Sequence, residues 1–222
     1  MNVPDLLLPT ELTRAANMLA LVIIIYSLLH APWRHLKRPD LQHVFLGFIV
    51  LLMLAWSAHA GIKPGLNMHL LGTTLLSLMF GLRLALVAFS LVLVAITGFG
   101  MAGWSAYGIN YLLMAFIPAL FSTSLFKWVD RKLPNHFFIY VFVCAFLCAG
   151  LAMSLCGLVT TYVMIKSGAY SYSYLMYQYL PFFILMAWSE AVLTGMAITL
   201  MAVYEPTWLA TFDDLRYLKN RG

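Results

Sequence analysis

The chain has 222 residues, of which 63% are hydrophobic and only 9% are charged, with a formal net charge of +5. A soluble domain carries roughly 25% charged residues, because a water-facing surface must be solvated. The composition therefore excludes a soluble globular domain and predicts an all-α bundle that faces lipid. The basic residues cluster between apolar runs, as orientation by a membrane requires, and this argues against nucleic-acid binding.

Seven apolar runs are predicted to be membrane helices, since about 20 apolar residues cross the hydrocarbon core. In chain order they cover residues 13–31, 43–61, 68–81, 83–101, 107–127, 137–165 and 178–203. The third run is short enough to be a partial helix, and Pro118 and Pro181 fall within helices. Together the runs predict one domain, residues 1–205, of a multi-pass inner-membrane protein.

The basic residues predict the orientation. With the N-terminus outside, seven spans leave Arg14, Lys63 and Lys166 on the outer side and every other Lys and Arg on the cytoplasmic side. The positive-inside rule favours this arrangement, N-out and C-in. An even number of spans would break this alternation of strongly basic cytoplasmic loops with outer loops that carry few basic residues.

Residues 206–222 form a second predicted unit. After Pro206, apolar residues alternate at helical spacing with Asp213, Asp214, Arg216 and Lys219; the apolar ones are Trp208, Phe212, Leu215 and Leu218. This pattern is typical of a short amphipathic helix on the cytoplasmic interface. Such a tail would anchor the chain to membrane lipid or dock a partner protein.

Two histidines are candidate metal ligands. His59 ends the second run and His69 opens the third, so a short loop joins them on the predicted outer side. Two imidazoles suit Ni(II), Co(II), Cu(II) or Zn(II). On spacing alone, two interfacial histidines with solvated rings fit equally well.

Glu190 is the acidic residue that lies deep in an apolar run, FFILMAWSEAVLTGM. A carboxylate inside a membrane is costly, so it predicts either a substrate or proton role or a brace between helices. Candidate partners for a brace are Ser189, Thr194 and Asn110. Glu190 and Asn110 are therefore candidate intramembrane polar residues with a structural or functional role.

Four short patches resemble one family. The opening MNVPDLLLP is similar to the M-H-I-P-D-G start of the cobalt- and nickel-specific substrate-capture subunits of energy-coupling-factor ABC transporters. HLLGTTLLSLMFG, residues 69–81, resembles their H-x-x-G-T-x-L-x-x-x-x-F-G segment. Gly108, Asn110, Met114 and Ala115 fit a G-x-N-x-x-x-M-A stretch, and Glu190, Thr194 and Gly195 look like an E-G-L-x-T-G region.

The resemblance implies a metal site built from the N-terminal amine, the backbone nitrogen and imidazole of a histidine at position two, and a later histidine. The matching positions here are Met1, Asn2 and His69. Asn2 stands where the family has histidine, so one imidazole is absent. Three alternatives follow: His59 replaces it, the substrate differs, or the chain has abandoned this site. Leu6 likewise stands where the family has glycine.

The leading hypothesis is a substrate-capture permease for a divalent transition metal, which is nickel or cobalt by resemblance, with copper or zinc as alternatives. It predicts no enzymatic activity, a metal substrate rather than a permanently bound cofactor, and partners in the form of a transmembrane coupling subunit and separate ATPase subunits, because the chain carries no nucleotide-binding motif. One alternative is a membrane-embedded metalloenzyme that uses His59, His69 and Glu190. Another is a non-transporting assembly or sensor subunit derived from the family.

Overall fold

The computed structural model describes residues 2–58, 60–61 and 63–217. In these residues six helices are long and apolar enough to cross a membrane: α1 Thr10–His30, α2 Pro39–Ser57, α3 Thr73–Gly98, α4 Tyr107–Lys132, α5 Phe137–Lys166 and α7 Phe182–Tyr204. The remaining elements are short: helices α6 Tyr172–Gln178 and α8 Asp214–Tyr217, 3-10 turns Trp33–Lys37 and Pro206–Trp208, and paired strands β1 Ala60–Gly61 and β2 Asn67–Met68. The predicted all-α membrane bundle is confirmed.

The loops gather at two opposite faces of the bundle. The N-terminal face holds residues 2–9, 60–61, 63–72, 99–106 and 167–181. There Gly103 N donates to Val3 O at 3.2 Å and Tyr170 Oη donates to Pro64 O at 2.7 Å. Residues 2–3 and 66–72 reach from this face into the bundle, where Val3, Leu66 and Leu71 are fully buried. The tail face holds residues 31–38, 133–136 and 205–217, and Arg83 Nη1 donates to His30 O there at 3.0 Å.

Helix α3 reverses its direction at Gly81. This glycine has φ 76° and ψ 165°, a backbone conformation that is essentially restricted to glycine. Just before it, Met79 O accepts from Ala210 N on the tail face at 2.9 Å, whereas both ends of α3 lie toward the N-terminal face. Residues 73–80 and 82–98 are therefore two antiparallel segments, which correspond to the third and fourth predicted runs.

The two prolines differ in their surroundings. Pro118 lies within α4 as predicted, two residues after the end of a π-helical stretch, Leu112–Phe116. A wider turn of this kind accommodates a residue that lacks an N–H group. The prediction for Pro181 is wrong, because this residue precedes Phe182, where α7 begins.

A close backbone approach fixes α1 against α4. Gly108 lies against the backbone of Ala16 and Asn17, and a Cβ atom at position 108 would collide with it. Asn17 Oδ1 accepts from Gly108 N at 2.6 Å, and Asn17 Nδ2 donates to Ser105 O at 2.9 Å. In lipid, small residues of this kind let helices pack closely enough for such bonds.

The tail is not a single amphipathic helix in its described part. A non-helical segment with a turn at residues 210–211 separates the turn Pro206–Trp208 from α8, and in it Leu209 and Phe212 are buried. Phe212 packs on Tyr140 and Tyr217, with ring centroids 4.9 and 5.0 Å apart. Burying these rings in the bundle outweighs the helical preference of the isolated sequence. Leu218 and Lys219 lie outside the described residues, and the interfacial cytoplasmic location stays a prediction.

The basic residues divide between the two faces in the predicted way. The described Lys and Arg residues of the tail face and its adjoining helix ends are Arg34, Lys37, Arg38, Arg83, Lys127, Arg131, Lys132 and Arg216, whereas Arg14, Lys63 and Lys166 lie toward the N-terminal face. The positive-inside rule then favours a cytoplasmic tail face.

Reporter fusions test this orientation and the number of crossings. If α3 crosses twice, fusions after Leu36 and Lys132 should both report the cytoplasm, and a fusion after Trp104 should report the outer side. If α3 crosses once, the signals at Trp104 and Lys132 should exchange. A periplasmic signal at Lys132 would therefore contradict the seven-span prediction.

Candidate metal site

Residues 2–9 form an N-terminal strap that enters the bundle beside α4. Asn110 is fully buried, and its amide pairs with the backbone of Val3: Oδ1 accepts from Val3 N at 2.8 Å, and Nδ2 donates to Val3 O at 3.0 Å. An asparagine amide carries both a donor and an acceptor, so it satisfies this peptide as a neighbouring strand would. The strap is thereby held with Asn2 inside the protein, where it is 2% exposed.

A second clamp holds the strap at the surface. Asp5 Oδ1 accepts from the backbone N of Ser105 at 2.8 Å and from its Oγ at 2.5 Å. These bonds from the hydroxyl and the N–H of Ser105 stabilise the carboxylate and lower the pKa of Asp5 from its usual value.

Leu6 takes a left-handed conformation with φ 67°, and its side chain is 95% exposed. A Cβ atom in this conformation costs roughly 1–2 kcal/mol, which glycine avoids. We expect Leu6→Gly to raise the free energy of unfolding by up to about 1 kcal/mol, after the larger unfolded-state entropy of glycine is counted. Leu6→Ala removes the same side chain but keeps Cβ, so thermal melts in detergent should show no gain. Equal gains in both variants would mean that exposed leucine, rather than the backbone, is unfavourable.

His69 is 3% exposed and faces Asn2 across the strap. Its Nδ1 lies 3.0 Å from Leu70 O, and since a carbonyl only accepts, Nδ1 carries the proton when the ring is neutral. Nε2 then presents a lone pair toward Asn2, whose Oδ1 is placed 3.2 Å away. Asn2 Nδ2 is buried without a hydrogen-bond partner among the described residues. Since the O and N atoms of an amide are assigned from its hydrogen bonds, a neutral His69 would be met by Asn2 Nδ2 rather than by Oδ1.

Trp56 and the backbone of Leu71 support the imidazole. The Trp56 and His69 rings pack with centroids 4.8 Å apart, and Trp56 Nε1 donates to Leu71 O at 3.4 Å. Trp56 has no exposed surface. The ring of His69 therefore has a fixed orientation as well as a fixed tautomer.

Glu190 holds the same segment from α7. It is 3% exposed, Oε2 accepts from Leu71 N at 2.8 Å, and Oε1 accepts from Gly72 N at 2.6 Å. These N–H groups precede the segment 73–80 and have no helical acceptor of their own. The expected partners Ser189, Thr194 and Asn110 are thus not the ones observed. Glu190 braces α7 against the segment that carries His69.

The structure brings Asn2 and His69 together and connects both to the two predicted intramembrane polar residues. Asn110 acts through Val3, and Glu190 acts through Leu71. Met1 and His59 lie outside the described residues. Within the described ranges no three or more His, Cys, Asp or Glu side chains cluster closely enough to hold a metal ion.

Sequence reasoning missed Trp56 and the Asp5–Ser105 clamp. Trp56 sits near the end of an apolar run, where an aromatic residue is ordinarily read as an interfacial anchor. Asp5 is a charged residue within the otherwise apolar opening of the chain. Its unusual position beside apolar residues was the available signal.

Residues 2–208 match the family described as the cobalt uptake substrate-specific transmembrane region. The fold is similar to the crystal structure of a truncated transition metal transporter, with a TM-score of 0.74 and 17% identity over 92% of this chain and 99% of that one. A second crystal structure of a transition metal transporter gives 0.69 and 17% over 91% and 93%. At this identity the likeness concerns the fold alone. No curated protein sequence matched the chain significantly.

Proposed function

The chain belongs to the cobalt uptake substrate-specific transmembrane region family, and on that premise we propose that the Asn2–His69 pair is its capture site for a divalent transition-metal ion. The protein is a multi-pass membrane permease for metal-ion uptake, and its family is one of transporters rather than enzymes. The ion is then a substrate that passes on, and no permanently bound cofactor is required.

The observation that carries this proposal is the state of His69. The bond from Nδ1 to Leu70 O leaves the Nε2 lone pair directed at Asn2. Metal-binding histidines ordinarily donate their second nitrogen to a carbonyl or carboxylate in this way, which sets the tautomer and raises the basicity of the ligand. An incoming cation would take the place of the contact between Nε2 and the Asn2 amide.

The proposed ligands are His69 Nε2, the amide of Asn2, the amine of Met1, and His59 as a further imidazole. Nitrogen donors of this kind suit nickel, cobalt, copper or zinc. An amide oxygen is a harder ligand than imidazole nitrogen, so Asn2 should bind nickel or cobalt more weakly than a histidine would.

The structure gives a specific argument against the metalloenzyme hypothesis. Both oxygens of Glu190 accept backbone N–H groups, so this carboxylate is engaged as a brace and is poorly placed to act as a general base. A role in positioning the segment that carries His69 accounts for this carboxylate instead.

We further propose that the N-terminal face opens to the outside of the inner membrane and that uptake depends on a transmembrane coupling subunit and ATPase subunits. The distribution of basic residues supports this orientation. Since the sequence carries no P-loop, nucleotide hydrolysis would take place on those separate subunits.

Metal analysis of the purified chain tests the capture site. Protein with its native N-terminus should retain nickel or cobalt at about one equivalent, and a two-residue extension before Met1 should lower that retention. The same two residues added after Gly222 serve as the control. Absence of metal from the native chain would overturn the site, and metal binding without partner-dependent uptake in cells would favour the assembly or sensor hypothesis.

A further inference from the structure

A second polar site lies at the opposite end of the bundle. A cavity of about 410 Å³ opens at the tail face around the reversal at Gly81. Its polar lining residues are Ser77, Arg83, Thr123, Lys127 and Thr211, and none of the described residues that line it is acidic. A cavity of this size is large enough for a small ligand or a lipid headgroup.

The depth of the cavity carries hydroxyl groups without partners. Ser77 is 3% exposed, and its Oγ and Thr123 Oγ1 are buried without a hydrogen bond among the described residues. Three residues before Ser77 and one before Thr123, Thr74 Oγ1 and Ser122 Oγ lie 2.8 Å apart and pair with each other. Buried hydroxyls normally have hydrogen-bond partners, so the hydroxyls of Ser77 and Thr123, which line the cavity, are available for a ligand.

The mouth of the cavity carries the cations. Lys127 lies one turn beyond Thr123 on α4, and in the described structure it forms no ion pair. Arg83 lies beside the reversal, where Nη1 donates to His30 O at 3.0 Å and the guanidinium lies 5.8 Å from the Tyr26 ring. Neither contact neutralises the charge of Arg83. The cavity thus combines two cations at its mouth with two hydroxyl donors below them.

We propose that this cavity binds the phosphate of an anionic membrane phospholipid. Phosphate oxygens accept hydrogen bonds from hydroxyls and from Lys and Arg. A phosphate therefore matches the two cations and the two hydroxyl donors of this cavity, which lack an acidic partner among the described residues. A lipid is the favoured source because the cavity lies at the helix ends of the face that is rich in basic residues. Basic pockets between membrane helices at the cytoplasmic side bind anionic headgroups. Unlike the metal site, this site does not depend on the proposed function.

Titration of phosphatidylglycerol into phosphatidylcholine nanodiscs that contain the full chain tests the site, with bound lipid measured by native mass spectrometry. Lys127→Gln should weaken phosphatidylglycerol retention roughly fivefold, the effect of about one surface cation. Lys132→Gln removes an equal charge from the same face outside the cavity, and it should change retention much less. The double variant Ser77→Ala with Thr123→Val should also lose retention, whereas Ser154→Ala, whose hydroxyl already donates to Gly150 O, should not.

Three outcomes would overturn the proposal. Equal effects of Lys127→Gln and Lys132→Gln on lipid retention would mean that the general surface charge, and not the cavity, binds the lipid. Equal retention of phosphatidylcholine and phosphatidylglycerol would remove the anionic preference. If the chain in phosphatidylcholine nanodiscs retains inorganic phosphate as strongly as it retains phosphatidylglycerol, the ligand comes from solution rather than from the membrane.

Discussion

Replacing Asn2 by histidine is expected to tighten nickel or cobalt binding by roughly tenfold or more, on the order of 1.4 kcal/mol. The substitution places a second imidazole opposite His69 Nε2, in exchange for the Asn2 amide, whose Oδ1 lies 3.2 Å from that nitrogen. Isothermal calorimetry of the purified chain in detergent measures this change directly.

The complementary variants define the same site. His69→Ala removes the imidazole and should reduce metal binding to background, and His59→Ala should weaken binding without abolishing it. His43→Ala is the matched control, because it deletes an exposed imidazole near the other end of the bundle. If His69→Ala binds metal as the parent does, the capture site is assigned to the wrong residues.

Glu190→Leu is expected to destabilise the chain strongly, because it leaves the buried N–H group of Leu71 and the partly buried one of Gly72 without an acceptor. Each such group costs roughly 1–3 kcal/mol. Glu190→Gln retains one oxygen but turns an NH₂ group toward the other N–H, so it should lose about half as much. Thermal melts in detergent measure the difference, and Glu205→Gln, which changes an exposed carboxylate on the tail face, should lie within about 0.5 kcal/mol of the parent.

A positioning role adds a second readout to the Glu190 variants. If Glu190 orients the segment that carries His69, the folded Glu190→Gln protein should bind metal about 10–100-fold more weakly, as variants of groups behind a metal ligand do. Stability loss with unchanged metal affinity would leave Glu190 a brace alone. Equal melting of the parent and Glu190→Leu would contradict both roles.

Composition and run length were sufficient to predict the membrane bundle, because a lipid-facing exterior leaves few charged residues. The two runs that meet at residues 81–83 were predicted as separate spans, and α3 turns at Gly81 between them, whereas the number of crossings stays a prediction. How the two segments join within α3 depends on the φ of Gly81, which is a property of the folded backbone.

The site was harder to predict. Asn2 and His69 are 67 residues apart, and only a family resemblance brought them together before the structure did. The partners of Glu190 are backbone N–H groups, which every residue except proline has, so no side-chain pattern could indicate them. The prediction of one amphipathic helix in the tail was wrong for a different reason. The apolar residues do have helical spacing, but Phe212 gains more by packing on Tyr140 than by lying at an interface.

The segment 73–80 has a consequence for how the protein is made. Eight helical residues rise about 12 Å, well short of the roughly 30 Å hydrocarbon core, so this segment is a poor substrate for insertion on its own. Its leading N–H groups find their acceptor in Glu190, which leaves the ribosome 118 residues after Gly72. Until then the segment enters lipid with unpaired donors, so the first half of the bundle should stay loosely assembled and dependent on a chaperone or insertase until the last membrane helix has been synthesised.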